Sequence, residues 1–202
     1  MTTKQNNDID LYSRQFENKN KLVGQRINRI TFYLEQTDKD FTEQPNDFGK
    51  SLLNGIDIET DREVYSIGNR YTSLFYGLSI DLGRTNMLEF FDEDKIPISF
   101  DTYIVGQTIK KLDIFWMNIP FEGINGLYPQ EIEIHTENFF LLLSSIEIND
   151  GKVNTEFTNE LLIIENIKIA EQLKLGQFGL DNERKCYQTL DELIQEEKKS
   201  SR

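Results

Sequence analysis

The chain contains one histidine, His135, and histidine is the residue type whose charge changes near neutral pH. Glu133 and Glu137 lie two residues to either side of it, so an extended strand would place all three side chains on one face. An imidazole that is oriented by a carboxylate has the chemistry of a general base. No recognisable motif places a serine or cysteine nucleophile near it, so we interpret His135 as a surface residue of a strand.

The chain also contains one cysteine, Cys186, which follows Arg184 and Lys185 in a segment with helical spacing. Neighbouring cations lower the pKa of a thiol and make it more reactive. No Cys–His spacing signature accompanies this residue, and we interpret it as a partly buried structural cysteine in a C-terminal helix. One cysteine excludes a disulfide scaffold, and one cysteine with one histidine excludes a zinc site of the Cys/His kind.

Carboxylates are abundant, and two groups of them have spacings that could bind a divalent cation or act as a glycosidase pair. The groups are the run Asp92, Glu93 and Asp94 and the alternating set Asp57, Glu59 and Asp61. The sequence has no EF-hand loop, no Gly-x-Gly-x-x-Gly string and no Walker-type phosphate loop. We therefore interpret the alternating carboxylates as the solvent side of a strand, and we expect no catalytic residue, no metal and no cofactor.

The composition excludes further classes. The 202 residues include 22 basic and 35 acidic ones, a net charge of −13, which opposes an electrostatic nucleic-acid binder. The 8 Tyr, 14 Phe and 1 Trp are too many aromatics for a disordered acidic chain. No apolar run of a signal peptide follows Lys4, and no apolar stretch approaches the roughly 20 residues that span a bilayer. We expect a cytoplasmic protein that does not contact a membrane.

An internal repeat indicates which elements position these residues. Residues 22–33 match residues 104–115 at an offset of 82, including a Gly-Gln pair in each. Residues 56–60 match residues 132–136 at an offset of 76. A third match joins residues 78–82 to 144–148 at an offset of 66. The matches occur in the same order, so we predict a duplicated unit whose first copy carries longer loops.

The repeated segments have the alternation of half-buried strands. In each copy the first strand contains one step of three between apolar residues, Ile27 to Ile30 and Ile109 to Leu112, before steps of two. One extra residue in a strand produces this step, so we predict a β-bulge in both copies. The alternative is a short helix start.

We therefore predict an α+β protein that is rich in β-structure, with two tandem β-meander repeats and helical N- and C-terminal segments. The predicted divisions are an N-terminal arm or helix (1–21), a first β repeat (22–98), a joint (99–103), a second β repeat (104–167) and a C-terminal helical segment (168–202). The charge is shared between the repeats. Residues 22–98 carry 8 basic against 14 acidic residues, and residues 104–164 carry 3 against 9, which is −6 in each case.

The chain is small, acidic and without a signal sequence or catalytic motif, and its one motif-like element is the repeated Gly-Gln-x-Ile-x-x-Ile/Leu. In this general character it resembles the immunity proteins of bacterial polymorphic-toxin and contact-dependent inhibition systems. The resemblance implies stoichiometric binding of a cognate toxin, often a basic nuclease, in a way that occludes its active site. It supplies no functional residue.

Our leading hypothesis is accordingly a non-enzymatic interaction protein that binds and neutralises a basic toxin domain. Aromatic anchors carry most of the energy of an interface, while charged groups at its rim mainly steer association. The candidate anchors are Trp116 and Tyr128, although the strand parity of Trp116 favours core packing. The candidate steering groups are Asp92, Glu93 and Asp94. The alternative is a duplicated β module that is structural or binds a small ligand.

Overall fold

The described part of the chain forms two main antiparallel β-sheets, with a helix near each end of the sequence. The predicted fold class, α+β and rich in β-structure, is confirmed. The computed structural model describes residues 3–35, 50–52, 55–72, 75–84, 95–99, 103–121, 124–149, 152–154, 161–181 and 184–200.

Three α-helices and thirteen strands are described. The helices are α1 (Thr3–Leu22), α2 (Ile167–Leu173) and α3 (Leu190–Ser200), and a 3-10 helix spans Gly176–Phe178. The strands are β1 (Ile27–Glu35), β2 (Lys50–Leu52), β3 (Gly55–Thr60), β4 (Val64–Thr72), β5 (Phe75–Leu82), β6 (Lys95–Ser99), β7 (Lys111–Phe121), β8 (Ile124–His135), β9 (Phe140–Ser144), β10 (Glu147–Asn149), β11 (Lys152–Asn154), β12 (Leu161–Ile164) and β13 (Arg184–Cys186).

Five strands of each main sheet occupy corresponding positions, with β1 and β3 of the first sheet corresponding to β7 and β8 of the second. The first sheet is β6-β1-β3-β4-β5, and the second is β13-β7-β8-β9-β12 with β2 added at its edge. Among the described strands, β10 and β11 pair only with each other. In the first sheet Ile30 pairs with Ile58, and in the second Leu112 pairs with Ile134, which is the pairing that the offsets of 82 and 76 require.

The third sequence match does not join equivalent strands. Residues 78–82 lie in β5, the fourth strand of its sheet counted from β1, whereas residues 144–148 cross from the end of β9 into β10. Alternating apolar residues occur in most strands of a half-buried sheet, so this short match is not specific. The duplication itself stays a prediction.

The segments before β1 and β7 form the same turn and bind each other reciprocally. Gly24 N donates to Ile109 O (2.8 Å), and Gly106 N donates to Ile27 O (2.7 Å). The two glycines have φ of +87° and +85°, a conformation that L side chains rarely adopt. An isolated antiparallel bridge between Arg26 and Thr108 lies at the centre of this exchange, which ties the two sheets together.

The predicted bulge is confirmed in the first sheet, where the β1–β3 register shifts between Ile27 and Arg29. In the second sheet the register shift lies between Phe115 and Trp116 of the β7–β8 pair. The predicted bulge between Ile109 and Leu112 stays a prediction, because the recorded pairing of β7 begins only at Lys111; Lys110 N donates to His135 O (2.7 Å), the residue that also pairs with Lys111.

A single hydrophobic core joins the two sheets. It contains Ile56 and Ile67 from the first sheet and Ile132 and Leu143 from the second, all fully buried. Helix α1 closes this core with Tyr12 and Phe16, which are four residues apart and so lie on one face of the helix. Burial of these aromatic rings explains why a largely polar N-terminal segment is a helix packed against the sheets.

The C-terminal segment 168–202, which we predicted to be helical, also contains a strand. Residues 184–186 form β13, which pairs with β7, and α3 begins only at Leu190. The helix begins there because Thr189 and Glu192 form a reciprocal cap: Glu192 N donates to Thr189 Oγ1 (3.3 Å), and Thr189 N donates to Glu192 Oε2 (3.4 Å). Among the described helices, none has the length and apolar character needed to cross a membrane.

Candidate functional site

Buried carboxylates occupy the outer face of the second sheet, the face that points away from the shared core. Glu131 and Glu133 are fully buried and Asp113 is 3% exposed. Helix α2 and the 3-10 helix cover this face, and Ala170 and Leu175 form a second apolar cluster there with residues of β9 and β12. The alternation of apolar and polar residues in β8 is typical of a strand with one solvated face, but α2 and the 3-10 helix cover that face.

Glu131 is held by groups from three segments. Gly176 N donates to its Oε2 (2.8 Å), Ser144 Oγ donates to its Oε1 (3.1 Å), and Arg184 Nη1 lies 3.5 Å from the same oxygen. Burial raises the pKa of this carboxyl above its ordinary value, while Arg184, the Gly176 amide and the Ser144 hydroxyl oppose the rise. Arg184 in β13 thus pairs with a carboxylate in β8, two strands away.

Glu133 lies at the centre of a second group. Gln177 N donates to its Oε1 (2.8 Å), and His135 Nε2 lies 2.9 Å from its Oε2. Gly176 approaches Glu133 so closely that a Cβ at this position would collide with the carboxylate, and its φ of +56° also favours glycine. The 3-10 helix therefore fixes the orientation of the Glu133 carboxylate.

Asp113, Glu133 and His135 bring one potential ligand atom each to within 4.8 Å of one another. We call these three residues the acid–imidazole cluster. Lys111 Nζ forms an ion pair with Asp113 Oδ2, and its side chain is 60% exposed. The His135 side chain is 24% exposed, so Lys111 and His135 form the accessible side of the cluster. His135 is therefore half-buried and hydrogen-bonded to Glu133, not the surface residue that we predicted.

Cys186 lies in β13 beside this group and is partly buried, as predicted, although in a strand and not in a helix. Burial raises the pKa of its thiol to about 11, with a further contribution from Asp113, and outweighs the opposing effect of Lys19 and Lys111. Desolvation is the larger effect, so the nearby cations do not lower the pKa of this thiol.

The predicted anchors are in the interior. Trp116 is fully buried, with its ring 5.2 Å from Tyr12 in an edge-to-face contact and 6.2 Å from Phe16 in a stacked one. Tyr128 is 8% exposed. Neither ring offers a surface to a partner, so neither can anchor one. The predicted steering groups Asp92, Glu93 and Asp94 lie outside the described residues.

The alternating set in the first sheet is also not a solvated row. Asp57 is 1% exposed and accepts a hydrogen bond from Tyr33 Oη (2.6 Å). Glu59 is half-buried and pairs with Arg84 Nη2 at 2.7 Å, and of the three residues only Asp61 is exposed. No local pattern distinguishes a covered polar face from a solvated one, so the sequence could not identify these buried acids.

An aromatic pair on the surface was missed by the sequence analysis. Tyr103 is 77% exposed and Phe139 is 37% exposed, and their rings stack with centroids 5.9 Å apart. Phe139 lies in the turn after β8, where Thr136 Oγ1 donates to Phe139 O (3.2 Å). The offset of 76 equates Phe139 with Glu63 in the corresponding turn of the first sheet, which was a usable signal that this residue lies at a turn.

About half of the acidic excess lies in two segments of the sequence. Segments 36–49 and 85–94, which we call the acidic segments, contain 8 acidic residues and 1 basic residue, so they carry −7 of the net −13. The first begins after Glu35 and the second ends before Lys95, and these two residues pair across β1 and β6. One acidic segment therefore follows, and the other precedes, a residue at the same end of the first sheet.

Comparison of the chain with known protein families, with curated proteins and with solved structures found no match.

Proposed function

We propose that the chain is a non-enzymatic interaction protein of the immunity type, which binds and neutralises a basic toxin domain. The observation that carries the proposal is the concentration of charge in the acidic segments, which begin or end at neighbouring strand ends. Like charges that are close together in the chain produce a local field that raises the rate of encounter with a basic partner.

The exposed pair Tyr103 and Phe139 supplies the anchor that Trp116 and Tyr128 cannot. Large aromatic side chains contribute most of the affinity of protein interfaces when they are desolvated by a partner. Two stacked rings on the surface already have a restricted geometry, so little side-chain entropy is lost when they bind. We assign steering to Asp92, Glu93 and Asp94 in the second acidic segment and anchoring to Tyr103 and Phe139.

The two roles predict different kinetic defects. Replacing Asp92, Glu93 and Asp94 with Asn, Gln and Asn lowers the association rate of the captured partner and weakens its salt dependence, because steering acts before contact. Tyr103→Ala raises the dissociation rate and leaves the association rate nearly unchanged, because an anchor acts after contact.

The experiment begins with capture of the partner by the tagged full-length chain from its native host, followed by mass spectrometry. The partner is then expressed alone, where it should inhibit growth, and with the chain, where growth should recover. The matched control is the variant Asp10→Asn, Glu171→Gln, Asp191→Asn, which removes three charges at scattered exposed positions. A partner that is not basic or not toxic, or an association rate that does not depend on salt, contradicts the proposal. Recovery of the chain alone or as a self-assembly favours the alternative β module.

A further inference from the structure

The acid–imidazole cluster has the residue types of a cation site. Carboxylate oxygens and an imidazole nitrogen together suit a divalent first-row transition ion, since imidazole favours zinc and its neighbours over magnesium and calcium. Two carboxylates with a neutral imidazole also carry the two negative charges that would balance such an ion. Asp113, Glu133 and His135 supply this set from two adjacent strands, where Asp113 pairs with Glu133 directly across β7 and β8.

The spacing of the donor atoms is compatible with one shared ion. Zinc lies about 2.0–2.2 Å from nitrogen and carboxylate ligands in a tetrahedral arrangement, so two of its donors are about 3.4 Å apart, and a pair that is hydrogen-bonded without the ion moves apart by about 0.5 Å when it binds. The distance from Glu133 Oε2 to His135 Nε2 is 2.9 Å. One potential ligand atom from each of Asp113, Glu133 and His135 lies within 4.8 Å of the other two, so small side-chain rotations complete a three-ligand arrangement.

A second observation points to a ligand independently of the residue types. Asp113 Oδ1 is inaccessible to solvent and has no hydrogen-bond partner among the described residues, and the Asp113 side chain is 4% exposed. A buried carboxylate oxygen without a partner is costly, and a bound cation would remove this cost. Gln177 N, which donates to Glu133 Oε1, provides the kind of supporting contact that orients a metal-binding carboxylate.

We propose that the acid–imidazole cluster binds one divalent transition-metal ion, with Zn²⁺ preferred to Mg²⁺. Asp113, Glu133 and His135 each supply one ligand, and the remaining coordination positions face the accessible side. Lys111 releases Asp113 when the ion binds, and its exposed side chain turns to solvent. None of the three ligands belongs to the acidic segments or to the pair Tyr103 and Phe139, so the proposal does not depend on the proposed function.

The single histidine makes the test direct. The full-length chain, purified in a chelator and then dialysed, is titrated with Zn²⁺ by calorimetry, and the imidazole nitrogens are followed by NMR. We expect one ion per chain and a shift of the one set of imidazole resonances that is complete at one equivalent. Mg²⁺ at the same concentration should produce no such shift.

Three variants locate the ion. Asp113→Asn and His135→Gln each remove a ligand with little change of shape, and we expect each to weaken Zn²⁺ binding at least about tenfold, since even supporting residues of metal sites have effects of about 10–100-fold. Glu137→Gln is the control, because Glu137 is exposed and lies outside the cluster. It should bind Zn²⁺ as the parent chain does.

An unchanged imidazole spectrum at one equivalent of Zn²⁺ overturns the proposal, and so does parent-like binding by Asp113→Asn or His135→Gln. Circular dichroism shows whether each variant is folded. If Asp113→Asn fails to fold, His135→Gln carries the test, because His135 is at the accessible side of the cluster.

Discussion

The outer faces of the two sheets use the same backbone positions for different chemistry. Thr31 pairs with Asp57 in the first sheet as Asp113 pairs with Glu133 in the second. In the first sheet the buried carboxylate of Asp57 accepts a hydrogen bond from the hydroxyl of Tyr33. At the position of Tyr33 the second sheet has Phe115, which has no hydroxyl.

Two further differences between the sheets supply the other residues of the acid–imidazole cluster. The position of Glu59, which forms an ion pair with Arg84, is occupied by His135 in the second sheet. The position of Thr31 is occupied by Asp113, which adds a carboxylate. A few substitutions at positions of equal register therefore replace a carboxylate bound by a hydroxyl with three converging potential ligands. A shared backbone does not imply a shared site, because the side chains on the covered face decide the chemistry.

The largest effect on stability is expected from the buried ion pair between Glu131 and Arg184 in the second sheet. Glu131 and Arg184 have side chains 0% and 10% exposed, and the first sheet has Gly55 at the position of Glu131. Glu131→Gln leaves the buried guanidinium without its carboxylate, so the free energy of unfolding in urea should fall by about 3–5 kcal/mol. In the first sheet, Glu59→Gln removes a half-exposed pair with Arg84 and should cost less than about 1 kcal/mol. Equal losses would contradict the contrast between the two faces.

Replacing the other member of this pair, Arg184, should make the free energy of unfolding depend on pH. Arg184→Met leaves Glu131 buried without its cation, which raises the pKa of the carboxyl further above its unfolded value. The folded state then binds the proton more tightly than the unfolded state does. Stability should therefore be highest below the unfolded pKa of the carboxyl and be lost as the pH rises through its folded pKa. Urea unfolding across the acidic range measures this slope, and a variant with the pH dependence of the parent chain would argue against a buried charge at Glu131.

A smaller effect is expected from making the first sheet more like the second. Tyr33→Phe removes the hydroxyl that donates to Asp57 and should lower the free energy of unfolding by about 1.5–3 kcal/mol, since the lost bond has a charged acceptor. The control is Tyr187→Phe, which removes a buried hydroxyl that has no hydrogen-bond partner among the described residues. No hydrogen bond is lost there, so we expect the free energy of unfolding to change by less than about 0.5 kcal/mol. Thermal or urea unfolding of both variants measures the difference.

The last prediction concerns the reactivity of the Cys186 thiol and not the stability of the fold. Cys186 occupies the position in β13 that Pro97 occupies in β6, since Phe115 pairs with Cys186 and Tyr33 with Pro97. Because burial raises the pKa of the thiol from 9.0 to about 11, its thiolate fraction near pH 8 is about 100-fold lower than that of an ordinary thiol. Alkylation should be slower by at least about this factor than in a cysteine-containing peptide, and should reach the peptide rate in denaturant. A native rate equal to the peptide rate would mean that Cys186 is not desolvated.

Much of the architecture could be predicted from spacing. The pairs Gly24 and Gly106 mark the turns that bind each other, and the step from Ile27 to Ile30 marks the bulge of the first sheet. These features are local, because a turn conformation and an extra strand residue depend on neighbouring residues. The boundary of α3 had a local signal too, since Thr189 and Glu192 have the spacing of a capping box.

The candidate site could not be predicted in the same way. Glu131 and Glu133 have the alternation of a strand with one solvated face, and their burial is caused by Gly176 and Gln177, more than forty positions later in the chain. Alternation indicates which residues share a face but not whether another segment covers it. The same limit applies to Asp57 in the first sheet.

Strand β2 has a consequence for how the molecule forms. It comes from between β1 and β3, yet Leu52 pairs with Leu161 at the far edge of the second sheet. A contact between residues so distant in sequence closes a long loop, and such contacts form slowly because the entropy of the loop is lost before the contact is gained. During synthesis, β2 leaves the ribosome well before β12 exists. Strand β2 therefore stays without its partner in the second sheet until β12 has been synthesised, and an unpaired strand in this interval is a segment that a chaperone can bind.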